Sequence, residues 1–243
     1  MTRRVAEALA TGFGAACLAA AAFRRGPLRL VAPVLAGAAG VVSGRRGIYR
    51  WASPRGWVAF GLDATWNLAG TTAGLAMHVL QWALGTSGTY RADLSERADL
   101  HVYEAGPSFH PDFALTWGTV VSNAGGRVGL DPATPEGRRR RRFVVAHEAL
   151  HVWQQRWLGP LYPIVYGGWV LGGAAVATVL WWRRGGSWRR TVTTLAYYDN
   201  PFEYWAYRRD DHWPPRGADP ALAWGGGGRH PAVARAGEGP LLG

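Results

Sequence analysis

The chain has 243 residues, 48% of them hydrophobic, which allows one sizeable core or a small domain joined to membrane segments. Its formal net charge is +11 and all 27 basic side chains are arginine, so it favours anionic partners, lipid headgroups or nucleic acid. Cys17 is the only cysteine, which excludes an internal disulfide and a cysteine-ligated zinc site, so any metal must rest on histidine and carboxylate.

Three apolar stretches fill the first third of the chain, at residues 5–23, 28–43 and 57–85. Each approaches the roughly 20 residues that a spanning helix needs. Arg3 and Arg4 before an alanine-rich run resemble the start of a secretory signal, but Glu7 interrupts the run and "GFGAAC" lacks the leucine of a lipoprotein cleavage site. The stretches predict a multi-pass anchor over residues 1–85, the alternative being Ala/Gly-rich helices buried in a soluble core. Asp63, Asn67 and His78 interrupt the third stretch and are expected to face neighbouring helices rather than lipid.

Residues 86–133 mix alternating apolar positions with Gly, Pro, Asn and Asp, which predicts a small β-rich segment with "LTWGTVVS", residues 115–122, as its clearest strand. An extended peptide could align along the edge of that strand. Residues 134–211 read as a helical region containing an apolar segment, 161–182. Residues 212–243 are rich in Gly and Pro without apolar periodicity and predict a disordered tail. The fold class is therefore mainly α with a small β element.

The helix that opens the third region carries the chemistry. Thr134 can cap it, Pro135 suits its first position and "LGP" at 158–160 stops it. His147 and His151 lie four apart, so their imidazoles project from one face and can converge on one ion. Glu148 falls beside that ion without having to bind it, as when zinc acidifies a water, a carboxylate takes its proton and the water attacks a polarised carbonyl. The bland alternative is an amphipathic helix whose histidines meet ordinary hydrogen-bond partners. Catalytic zinc usually has three protein ligands. In "AYYDNPFEYWAYRRD", Asn200 can cap a second helix, Pro201 begins it and Glu203 occupies its first turn, where it can ligate or merely complete a capping box. Asp199, His101 and His110 are further possible ligands.

The run "HEALHVWQQRWLGPLYPIVYGGW" followed by "AYYDNPFEYWAYRRD" resembles bacterial membrane-associated zincin-like proteins of the gluzincin type, over about residues 114–208 including "LTWGTVVSN". The resemblance implies zinc held by His147, His151 and Glu203, with Glu148 as general base, and a metallopeptidase acting on a peptide or protein substrate. The usual small residue and Asp after the gluzincin glutamate are only partly present, because Ala206 is in place but Asp210 comes late. Tyr204, Tyr207 and Arg208 are candidates for stabilising the oxyanion. The rival expectation is a non-catalytic membrane protein with a structural zinc ion or no metal.

A joint site requires His151 and Glu203 on one side of a membrane, yet "PIVYGGWVLGGAAVATVLWW" at 163–182 is long enough to cross one. Gly167, Gly168, Gly172 and Gly173 therefore predict an apolar hairpin or an interfacial segment. Arginines flank it on both sides, Arg138 to Arg142 and Arg156 before, Arg183, Arg184, Arg189 and Arg190 after, which predicts both ends, and with them the zinc site, on one membrane face, the cytoplasmic one; the resemblance implies that this membrane is a bacterial inner membrane. The five arginines at 138–142 predict contact with anionic headgroups, the alternative being a solvated patch. No nucleic-acid-binding module accompanies them, so the sequence does not predict nucleic acid as a partner.

Overall fold

In the computed structural model, which describes residues 2–225, the first two apolar stretches become α1 (Arg3–Ala22) and α2 (Leu28–Arg46). They pair through small residues. Ala32, Ala36, Gly40 and Gly44 recur every fourth position on the buried face of α2, and a Cβ at Gly40 or Gly44 would lie 2.8 Å from Thr11 O or 2.6 Å from Glu7 O. Only glycine allows such an approach, as in helix pairs within lipid, where packing rather than water exclusion drives association. Their outward residues are apolar, Phe13, Leu30 and Val34 among them.

The third apolar stretch is not one helix. It breaks at residues 65–67 into α3 (Pro54–Ala64) and α4 (Leu68–Ala83), because Asp63 and Asn67 sit at the break and are held by protein. Asp63 forms a two-pronged ion pair with Arg156 at 2.9 and 2.7 Å and accepts from Tyr49 Oη, while Asn67 Nδ2 donates to Asp63 Oδ1. Arg156 also donates to Asp99 O and is fully buried. It therefore serves as the counter-charge of Asp63 rather than as a basic flank on a membrane face.

After a short helix, α5 (Ala92–Ser95), the β segment forms a three-stranded sheet in the order β1-β3-β2, from β1 (His101–Val102), β2 (Leu115–Trp117) and β3 (Val120–Ser122). β1 lies parallel to β3 and β2 antiparallel to it. The strand expected over 115–122 is thus a tight hairpin turning at Gly118 and Thr119. Gly118 has φ +60, and a Cβ there would strike Gly70 O. Behind the sheet Leu94, Leu100, Val102, Val121, Leu130, Val144 and Val152 form a core that receives the next helices.

Those are α6 (Pro135–Phe143), a π turn over Val144–Glu148 and α7 (Ala149–Leu158), ended by Gly159. Thr134 caps α6 by accepting from Gly137 N–H at 3.0 Å. The arginine run is largely spent within the fold. Arg138 donates to Pro132 O and Ala133 O, Arg140 to Ala124 O, and Arg141 to Leu130 O and Asp93. These bonds strap α6 onto the loop before it and offset the unfavourable placement of positive charge near a helix start.

The chain divides into two compact units, Met1–Tyr162 and Pro163–Gly243. In the second, the apolar segment is an unbroken helix, α8 (Tyr162–Arg184), so the glycine pairs do not turn the chain. A Cβ at Gly167, Gly168 or Gly172 would meet nothing, whereas Gly173 lies against Leu195 O and Ala196. The reversal comes later, at Gly185 and Gly186, both at positive φ, and α9 (Trp188–Val192) with a second π turn, Thr193–Tyr198, runs back along α8. Trp169 Nε1 donates to Leu195 O and Trp188 Nε1 to Thr178 Oγ1. Then comes α10 (Pro201–Arg209). Residues 212–225, expected as the start of a disordered tail, instead pack Ala218 and Ala223 against Tyr198, with Trp224 N–H donating to Asp199. Residues 226–243 of that expected tail lie outside the described residues.

Three helical runs are long and apolar enough to cross a membrane: Arg3–Ala22, Leu28–Arg46, and Pro135–Arg184 through its apolar part. On length and composition the chain is suited to membrane association.

Candidate functional site

Within the first unit, His147 lies in the π turn and His151 one turn on in α7, both buried. The π turn widens the helix at the histidine and Glu148, a distortion that recurs at functional sites. Phe143 stacks on the His147 ring at 4.3 Å. The two Nε2 atoms face each other at 3.1 Å. Two imidazoles on one tetrahedral zinc at about 2.0–2.1 Å would hold their nitrogens roughly 3.3 Å apart, so the spacing suits a shared ion.

The far side of His151 strengthens that reading. Its Nδ1 lies 2.8 Å from Gln154 Oε1. An amide oxygen only accepts, so Nδ1 carries the hydrogen and Nε2 keeps its lone pair on the side of His147. Glu148 is buried and its Oε2 accepts from Thr116 Oγ1 at 2.5 Å, which ties the carboxylate to β2. Gln155 fills the outer edge of β2: Gly118 N–H donates to its Oε1 at 2.7 Å and its Nε2 donates to Thr116 O at 3.4 Å. The edge expected to align a peptide is thus already bonded at these two groups.

Within the second unit, Glu203 occupies the first turn of α10 and is buried. Asn200 caps that helix, its Oδ1 accepting from Phe202 N–H at 3.1 Å. Glu203 Oε1 accepts from Tyr166 Oη at 3.0 Å, so the glutamate does more than finish its own helix. Asp199 is buried, and burial raises its pKa against the opposing bond from Trp224 N–H. Tyr204 Oη accepts from Arg208 and its ring meets Trp213 and Trp224, while Tyr207 packs on Tyr198.

His147, His151 and Glu203 are thus three buried donors of kinds that a metal ion takes, and together they could hold one. Two neutral imidazoles and a carboxylate suit zinc, and no thiolate is needed. The other expected ligands are otherwise engaged. His101 is buried with Nε2 on Ser43 Oγ at 3.2 Å and Nδ1 on Tyr90 Oη at 3.3 Å. His110 is exposed and accepts from Asp112 N–H. Sequence reasoning missed Thr116, Gln154 and Tyr166. Gln154 was legible, three residues after His151 on the same helical face. Thr116 and Tyr166 lie 32 and 37 positions from their carboxylates and give no local signal. No family model, curated protein or solved structure matches the chain.

Proposed function

We propose that the chain is a membrane-associated zinc metallopeptidase of the zincin type, in which His147, His151 and Glu203 hold the ion and Glu148 is the general base. The facing Nε2 atoms, with Gln154 fixing the His151 tautomer, carry the reading. Bound there, zinc would supply Lewis acidity toward a peptide carbonyl and a water nucleophile active at neutral pH. Glu148 takes the proton of the attacking water and returns it to the leaving amine, and Thr116 holds its carboxylate in orientation. Tyr166 steadies Glu203 through its hydroxyl. Tyr204, Tyr207 and Arg208 remain the residues proposed for the oxyanion. A bacterial inner membrane with the site on its cytoplasmic face completes the proposal; a cysteine placed at Glu136 should then react only with reagents that reach the cytoplasm.

A second reading, a non-catalytic protein with structural zinc or no metal, draws on two observations. The ring spacing also suits an N–H···N hydrogen bond, and the Thr116 hydroxyl already occupies one Glu148 oxygen. Metal analysis of the purified full chain separates the readings. Zinc should accompany the wild type and be lost in His147→Ala and Glu203→Ala. Glu148→Gln should keep the metal and lose peptide hydrolysis; a wild type that binds zinc without hydrolysing any peptide supports the structural reading.

A further inference from the structure

The short helix α3 has one face in the fold and one face out, and the outer face is apolar. Gly56, Ala59, Phe60, Asp63 and Ala64 are buried, whereas Trp57 is 57% exposed, Val58 42% and Trp66, just past the helix, 46%. The indole N–H groups of both tryptophans are used inside the protein, Trp57 on Trp51 O and Trp66 on Trp157 O. What the rings present outward is therefore hydrocarbon. At 11 residues α3 spans only about 16 Å and cannot cross a bilayer.

Its neighbours fix its level. α3 packs against the α1–α2 pair, both of membrane-spanning length and apolar on their outward sides. On α1, Glu7 marks the polar end, bonded to Arg97 and Trp51. Phe60 lies against Gly14, where an added Cβ would come within 3.3 Å of its ring. Seven residues of helix separate those points, about 10 Å, within the depth at which amphipathic helices bed at the boundary of headgroups and acyl chains. Arg50, before α3, and Arg55, in its first turn, are both exposed; though Arg50 Nε donates to Arg97 O and Arg55 lies over the Trp153 ring, their charges at this end of the helix match anionic headgroups.

We propose that α3 lies in the membrane plane as an interfacial helix, its exposed Trp57 and Val58, edged by the half-buried Leu62, on lipid and its arginine end among the headgroups. The histidine-bearing helix is joined to it at that level. Arg156 of α7 grips Asp63 of α3, and Trp157 and Leu161, both exposed, extend the apolar surface beyond Trp66. The surface would thus hold α7 at a fixed height on the bilayer, whether or not its histidines bind metal.

The full chain with Cys17→Ser, reconstituted in phosphatidylcholine vesicles containing phosphatidylglycerol, provides the test. Single cysteines replacing Val58 or Leu62 are spin-labelled, and their collision rates with oxygen and with a neutral nickel chelate are compared. Val34→Cys on the outward face of α2 serves as the lipid reference and Glu136→Cys as the water reference. At 58 and 62, oxygen collisions should exceed nickel collisions severalfold, with a ratio between those of the two references. Nickel access equal to that at 136 would overturn the proposal in favour of a water-facing helix. Exclusion of both reagents would overturn it in favour of a surface covered by protein. Val58 is exposed and Leu62 half-buried, and a preserved thermal transition confirms that each variant is folded.

Discussion

Two pairs of histidines lie in the unit Met1–Tyr162, and their rings meet in nearly the same way. His78 and His101 approach edge to face at 4.4 Å between centroids, His147 and His151 at 4.8 Å. Their surroundings differ. In the first pair His78 Nδ1 receives Arg46 and lies 2.9 Å from Tyr103 Oη, while both His101 nitrogens meet hydroxyls. A guanidinium beside the rings repels any further cation. In the second pair an amide oxygen turns one ring so that its lone pair faces the other ring, and a carboxylate follows directly in sequence. Nearness of two imidazoles is therefore no metal signal by itself; what occupies the remaining nitrogens decides.

The largest expected effect tests that contrast directly. His147→Ala or His151→Ala should reduce bound zinc from about one equivalent per chain to background in elemental analysis. His78→Ala and His101→Ala should leave zinc in place and lower the unfolding temperature instead. Loss of zinc in either of the latter would erase the distinction between the pairs.

Next in size is the buried ion pair that seats α7. Asp63→Ala leaves Arg156 without its counter-charge in a fully buried position and should cost about 3–5 kcal/mol in thermal unfolding. Replacing both partners with apolar residues, Asp63→Leu with Arg156→Met, should cost much less, because no lone charge remains. Equal losses in the single and double variants would show that packing, not charge, holds this junction.

Acid should separate the pairs again. Burial, aided by Arg46, pushes His78 down to about 3, and burial together with His78 and Arg46 holds His101 well below its usual value. The folded state then binds fewer protons than the unfolded state below about pH 6.5. Stability from His78 is full above that pH and falls as the pH drops toward about 3, by at most ~1.4 kcal/mol per pH unit for one group. Unfolding midpoints from pH 7.5 to 4 should fall accordingly, and His78→Phe should flatten the slope. A chelator at pH 7.5 should leave the His78 slope unchanged while stripping the other pair.

The same contrast explains what could be read from the sequence. The helix bearing His147 was legible at both ends, since Thr134, Pro135 and Gly159 act on their own backbone, and Asn200 with Pro201 likewise opens α10. The four-residue spacing of the histidines is equally local. The break at residues 65–67 was not legible, because it depends on Arg156, 93 positions from Asp63. Nor was the use of the arginine run, which rests on carbonyls of a loop whose path the sequence does not specify. Glycine spacing misled the reading of α8: of its two glycine pairs only Gly173 meets another segment, and the turn belongs to Gly185 and Gly186. Local chemistry was readable, and long-range pairing was not.

The smallest effect sharpens the contrast most finely, since it leaves all four histidines in place. Gln154→Ala removes the acceptor that holds the hydrogen of His151 on Nδ1. The ring then loses its fixed tautomer and orientation, and its Nε2 spends part of its time protonated or turned from His147. Partners of this kind typically contribute 10–100-fold in metal affinity. Zinc titration against a competing chelator should show a weakening of that order, with the unfolding temperature of the metal-free protein nearly unchanged. Gln154→Glu, which keeps an acceptor oxygen at the same reach, should recover most of the affinity. If Gln154→Ala instead lowers stability without changing zinc affinity, the amide is a core hydrogen-bond partner, and the second histidine pair is built on the same rule as the first.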